Sequence, residues 1–239
     1  MNIIRHKKSY LVILAIAAII SCKKNEPQRL LGRFETTSDL SVLPAVMLTS
    51  NGTINDQMFI QAYLTRHQHT DGFIFGTTTS WVDEHPLAID FKENNQAIVT
   101  PYPQSAPSVT RLFEVTGNTS SSFVLGGYDS TNILILLNMN RCEQYVWPLL
   151  QVHFPPVCSP LSSSTGYKEV CKTRSAIPIN RIGDDIYIPI FTFDITRNDG
   201  NISCWYKSRF ERATVNSSLS VKSGDTIVYQ PSLIKLIRK

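Results

Sequence analysis

Asn198-Asp199-Gly200-Asn201, followed by Ile202-Ser203-Cys204-Trp205-Tyr206-Lys207-Ser208-Arg209-Phe210-Glu211, is the stretch that decides the fold class. An Asp-Gly step inside a polar quartet supplies the positive backbone φ angles that a tight hairpin turn demands. In the segment that follows, Ile202, Cys204, Tyr206 and Phe210 alternate with Ser203, Trp205, Lys207, Arg209 and Glu211. A period of two is the mark of a half-buried strand. Reading outward, residues 186–195 form the partner strand, preceded by a turn at Gly183-Asp184-Asp185 and a strand over 167–174. Downstream, Ser223-Gly224-Asp225 turns the chain into a last strand over 227–237.

The same grammar runs through the upstream chain. Leu87, Ile89 and Phe91 alternate with Ala88, Asp90 and Lys92, and Asn94-Asn95 turns them into a strand over 97–100. Residues 109–115 continue the series to Gly117-Asn118, then 123–128 and 133–138. A short strand at 45–49 ends on Asn51-Gly52, 73–79 is rich in Thr and aromatics, and 142–154 reads as a strand broken by Pro148. About ten to twelve strands at this spacing predict a mainly β fold, an antiparallel barrel or a sandwich, with no internal repeat. One helix stands out near 55–66, with Asn55 or Thr53 as its cap and Met58, Phe59, Ala62 and Tyr63 expected on its packed face. It is too short, and lacks the basic face, to be expected to lie on a membrane. Residues 155–166, rich in Pro and Ser, are a candidate internal boundary within a domain spanning 30–239.

The chain opens with Arg5, Lys7 and Lys8 before an unbroken apolar run from Leu11 to Ile20, then Ser21-Cys22. The run is about half of the ~20 residues that span a hydrocarbon core, so it reads as a signal segment and not as an anchor. Ile19-Ile20-Ser21-Cys22 resembles the lipobox of bacterial lipoproteins: aliphatic at −3, small at −1, cysteine at +1. That resemblance implies cleavage of residues 1–21, a diacylglycerol on the Cys22 thiol, a further acyl chain such as palmitate on the new amine, and membrane attachment through Cys22. Residues 22–29 then form a lipidated tether. Lys23 stands where many Gram-negative lipoproteins carry an aspartate for inner-membrane retention, which implies the outer membrane. Cys22-Lys23-Lys24-Asn25-Glu26 also resembles the start of Bacteroidota lipoproteins, leaving the periplasmic and the surface face both open. Leu30-Leu31-Gly32-Arg33-Phe34 resembles the opening strand of lipocalin-like envelope proteins, whose aromatic plugs one end of a barrel.

Cleavage leaves 218 of the 239 residues and removes three of the 23 basic side chains, giving 20 against 19 acidic ones. A near-neutral balance implies no nucleic-acid partner. With Cys22 committed to lipid, Cys142, Cys158, Cys171 and Cys204 suggest two disulfides with three connectivities. Bridging Cys158 to Cys171 would restrain the loop between them, leaving Cys142 with Cys204. Their spacing holds no Cys-x-x-Cys pair, which argues against zinc.

Chemistry-bearing patterns are few. His67, His69 and His85, with Asp83 and Glu84, are the only group of metal-ligand character, and a structural role is expected of them. No Gly-x-Ser-x-Gly elbow, phosphate loop or dinucleotide motif occurs, and Asp83-Glu84 and Asp184-Asp185 are adjacent residues that a strand would point apart. Asp129-Ser130-Thr131 and Asp225-Thr226-Ile227 resemble an O-glycosylation tripeptide of Bacteroidota. Tyr102, Trp81, Trp147 and Trp205 could stack on a ligand or fill the core. No cofactor and no catalytic residue is expected. The sequence therefore predicts a non-enzymatic outer-membrane lipoprotein that binds a small apolar ligand, a glycan or an envelope partner. An envelope hydrolase or metal-binding protein is the alternative.

Overall fold

A computed structural model describes residues 30–76, 86–101, 110–117, 119–136, 142–150, 153–161, 167–198, 203–216 and 219–239. Among the described residues every strand belongs to the compact unit Leu31–Lys239. The strands are β1 Gly32–Val42, β2 Val46–Thr49, β3 Gly52–Ile54, β4 Leu87–Phe91, β5 Gln96–Pro101 and β6 Arg111–Thr116. They continue as β7 Ser122–Leu136, β8 Val157–Pro160, β9 Tyr167–Ile182, β10 Asp185–Asn198, β11 Ser203–Glu211 and β12 Asp225–Arg238. The helices are α1 Gln57–Arg66 and α2 Glu143–Leu149.

The mainly β expectation resolves to a closed antiparallel barrel of eight strands with four more attached. The ring runs β1-β4-β5-β6-β7-β9-β10-β12 and returns to β1. Its interior follows from the alternation in each strand. Phe34, Ile89, Phe91, Ala97, Phe113, Phe123, Leu125, Ile179, Ile186, Ile188, Ile234 and Leu236 share the inward face and are buried. At one end Phe34 meets Phe91 edge to face at 5.5 Å, and Phe91 meets Phe123 likewise at 5.7 Å. The Arg238 guanidinium lies over the Phe34 ring and donates to the Leu31 carbonyl at 2.8 Å. An eight-stranded barrel is just wide enough for side chains to fill it, and here three rings occupy one end.

β10 and β12 are too long for the ring. Beyond it they pair on, joined by β11 on one side and by β2 and β3 on the other, as a second sheet ordered β11-β10-β12-β2-β3. The two faces of this sheet are covered by different helices. α1 packs Ile60 and Leu64 with Ala45, Met47 and Val228, on the side continuous with the barrel interior. α2 packs Tyr145 and Leu149 against Phe191, Phe193, Ile195, Ile227 and Tyr229 on the other.

Three local expectations change. The stretches 123–128 and 133–138 are one strand, β7, whose pairing with β9 slips between Gly126 and Ser130. A Cβ at Gly126 would sit 2.5 Å from the Phe154 ring that covers it, so a larger residue there would displace that ring. Residues 143–149 are helical, not a broken strand. Tyr145 and Leu149, four apart, need a shared face toward the sheet, and Pro148 falls in the last turn, one residue before the helix stops. Finally, α1 is capped by Asp56, which accepts from the amides of Met58 and Phe59. Its packed face is Ile60 and Leu64 with part of Tyr63, while Met58 is 80% and Phe59 53% exposed, and Ala62 faces solvent too. Apolar side chains stand on both sides of this helix, so periodicity alone fits two stripes. The Gln57 side chain selects one, bonding the Ala45 amide at 2.9 Å and the Ala45 carbonyl at 2.7 Å.

An aspartate at position 60 should therefore cost about 3 kcal/mol, as an unpaired buried charge does. Phe59→Asp should change stability by no more than about 0.5 kcal/mol. Thermal melts of the two variants check this, and equal losses would contradict the assigned face.

Candidate functional site

Buried polar side chains are concentrated where the barrel gives way to the second sheet. Five polar or charged residues are buried among the described residues: Thr192, Asp194, Asp225, Gln230 and Ser232. Backbone register puts four of them on one face. Ile190 stands opposite Ser232, Thr192 opposite Gln230 and Asp194 opposite Val228, so these positions prolong the inward row Ile186, Ile188, Ile190 and its partner Ile234, Leu236. The inward face thus changes from hydrocarbon to a polar band at this mouth.

The segment that leaves α1 is fastened to that band. His69 Nδ1 lies 3.0 Å from an oxygen of Asp194, whose side chain is wholly buried. The Gln230 carboxamide accepts from the Ile74 amide and donates to the Ile74 carbonyl, each at 2.7 Å. Tyr63 Oη and Thr196 Oγ1 are 2.7 Å apart, and Lys207 reaches Asp71 at 3.2 Å. Phe73 and Phe75 pack beside these clasps. Such pairing is what allows polar groups to be buried at all, since an unmet donor or carboxylate inside the protein is costly.

The opposite face holds the fifth residue. Asp225, also fully buried, accepts from the Tyr145 hydroxyl at 2.6 Å and lies 3.8 Å from Arg197 Nε. The Tyr145 oxygen in turn accepts from the Lys222 amide at 3.0 Å, tying α2 to the turn before β12. Burial pushes the Tyr229 hydroxyl upward on this face and the His153 imidazole downward elsewhere. At the barrel surface, hydrogen bonding to Lys235 at 2.8 Å holds the Asp185 carboxyl below its usual range and raises Lys235. That pair is present above the ordinary carboxylate range and is lost as the pH falls through the lowered value.

Each residue expected from the sequence has a place or lies outside the described residues. His67 packs against Tyr63 with the rings tilted and 4.5 Å apart, and its ring is 6.1 Å from that of His69. Its companions Asp83, Glu84 and His85 fall outside the described residues, as do Cys22, Trp81, Tyr102 and the side chains of Trp147, Cys204 and Trp205. Cys158 and Cys171 are opposite one another in β8 and β9 and are joined as a disulfide. Cys142 is disulfide-bonded as well. Among the described residues, the one group spaced for a metal ion is Cys158, Glu169 and Cys171, and its two sulfurs are spent on each other. Asp129, Ser130 and Thr131 are exposed on β7, whereas Asp225 and Ile227 are buried.

Comparison with known proteins adds no identity. No family model, curated protein or solved structure matches this chain.

The Asp194–His69 contact has the form of a base held by its orienting acid, which in a hydrolase would serve a nearby nucleophile. On the same face of the sheet the hydroxyls of Tyr63 and Thr196 are engaged with each other at 2.7 Å. The sequence does not mark Asp194 and Gln230 as buried. In 186–195 both phases are apolar, Ile186, Ile188 and Ile190 in one and Tyr187, Phe191, Phe193 and Ile195 in the other, so alternation by itself does not say that 192 and 194 point inward.

If the contact serves to hold the segment after α1, Asp194→Ala should destabilise the protein by about 3 kcal/mol, the cost of breaking a buried pair. Denaturant unfolding measures it. An unaltered midpoint would remove Asp194 from the structural account.

Proposed function

We propose that this chain is a lipid-anchored lipoprotein of the outer membrane whose β domain is a non-enzymatic module that engages an envelope partner through its outer surface. The observation that carries the non-enzymatic part is the state of the buried polar groups. Asp194, Gln230 and Asp225 each hold a covering segment or helix in place, through His69, Ile74 and Tyr145 respectively. Side chains committed in this way support architecture rather than turnover.

The filled barrel end bears on the choice of ligand. With Phe34, Phe91 and Phe123 in mutual contact inside the ring, room for a small apolar molecule there would require displacing packed aromatic side chains. That favours a surface-bound partner over a ligand held within the barrel. The anchor rests on the charged start, the apolar run and Cys22, together with a polar stretch long enough to hold the folded unit clear of the membrane.

Labelled palmitate should enter the wild-type protein and be absent from Cys22→Ala, and blocking the lipoprotein signal peptidase should cause the uncleaved precursor to accumulate. Label in the alanine variant would overturn the anchor. Titration with a fluorescent fatty acid should show no saturable binding at about micromolar concentrations, since a built pocket needs open volume. Stoichiometric binding that Leu125→Trp abolishes would restore the ligand-carrying barrel.

A further inference from the structure

The Cys158–Cys171 bond has a third donor beside it. β8 and β9 set the two cysteines directly opposite each other, and Glu169 stands two residues before Cys171, on the same face of β9. The two sulfurs and a Glu169 carboxylate oxygen lie within 4.8 Å of one another. Among the described residues the half-buried Glu169 side chain makes no hydrogen bond or ion pair, and Lys168 and Lys172 take the alternate phase of the strand. Two donors two apart on one strand, with a third opposite, are enough for a sheet face to close three ligands round a point.

While the bond is closed both sulfurs are spent on it. Cys158 lies on a strand whose four residues are all exposed, and Cys171 is only 5% exposed. A thiolate of a dithiol reductant therefore meets the Cys158 sulfur, and Cys171 leaves. The reductant's second thiol then releases Cys158. Two electrons and two protons pass to the protein, and the reductant becomes its own disulfide.

We propose that the opened pair and Glu169 form a redox-gated zinc site, with two thiolates and one carboxylate as ligands and the fourth position left to water. Zinc fits this donor set: two soft thiolates disfavour magnesium and calcium, and the carboxylate disfavours copper(I). Binding displaces the two thiol protons, so the centre carries one net negative charge. The sequence holds no Cys-x-x-Cys pair, but strand register takes its place by bringing residues 13 apart into direct opposition. The bound ion then does the work of the covalent link, holding β8 to β9 where only four residue pairs join them. This site depends neither on the lipid anchor nor on the partner surface.

The test opens the bond in the full-length protein with a limiting amount of a phosphine, which adds no thiol, and maps the freed cysteines by alkylation. Cys142, bonded and only 1% exposed, should stay protected. Zinc uptake is read by competition with a chromophoric chelator, and cobalt(II) supplies a thiolate charge-transfer band. The reduced wild type should take up one equivalent of zinc with an affinity of about micromolar or tighter. The oxidised protein and Cys158→Ser/Cys171→Ser should lack both the uptake and the band, and Glu169→Gln should weaken uptake by at least about tenfold. No uptake by the reduced wild type, equal uptake by the double serine variant, or an unweakened Glu169→Gln would each overturn the site. Circular dichroism reports whether the reduced chain keeps its strands. If it does not, Cys158→His/Cys171→His, which needs no reductant, should bind one zinc in the folded protein, and its failure to do so would overturn the site as well.

Discussion

The structure depends on one uninterrupted pairing, β10 against β12, which holds register from Ile186 opposite Leu236 to Arg197 opposite Asp225. A strand alternates its faces without exception unless a bulge intervenes, so this run carries one inward row across two environments. At one end the row is Ile186, Ile188, Ile234 and Leu236, and the barrel closes over it. At the other it is Thr192, Asp194, Gln230 and Ser232, where the pairing of β12 with β1 ends at Ser232 and that with β2 takes over from Tyr229. A single-residue slip would exchange Asp194 for Phe193 and Gln230 for Tyr229, placing aromatics under α1 and carboxylate under α2. Both helices would then lose their partners.

That constraint explains how two buried carboxylates are tolerated within one small sheet. Asp194 and Asp225 lie on opposite faces, and each is met by a group from the element covering its face: His69 from the chain leaving α1, Tyr145 from α2. Neither covering segment belongs to a ladder, so side chains fasten both to the sheet, and α2 is held besides by an isolated bridge between Leu150 and Val215. Gln57 and Gln230 do similar work by engaging both the amide and the carbonyl of one residue, Ala45 and Ile74. A carboxamide used in this way replaces a strand neighbour for a segment that has none. The architecture is thus a ladder-built barrel with side-chain-fastened coverings, and the exposed turn of α1 is the part of those coverings turned away from the sheet.

The disulfide belongs to the same logic. Cys158 and Cys171 occupy directly opposed positions of β8 and β9, and β8 has β9 as its partner through only four residues. Four pairs give a short ladder little hold on an otherwise exposed strand, and the covalent link restrains it. Likewise Phe154 lies against Gly126 with the Arg174 guanidinium 4.6 Å from its ring, holding the chain just before β8 against the barrel wall.

By itself the sequence determined that the chain is mainly β, about how many strands it has, and where most of them turn, because alternation and Asn/Asp/Gly chemistry act over a few residues. It also placed α1 in the right segment and singled out Cys158 with Cys171, whose short separation favours pairing. Tertiary structure alone decided between barrel and sandwich, since closure is set by which strand β12 meets, 190 residues and more away in β1. It alone chose the buried stripe of α1, where Met58 and Phe59 are as apolar as Ile60 and Leu64, and the choice comes from the grip of Gln57 on Ala45. It made a helix of 143–149, whose Tyr145 and Leu149 become a face only against the sheet. And it brought His69 to Asp194 across 125 positions, a proximity that no local pattern encodes because it is produced by the length of β10 beyond the barrel.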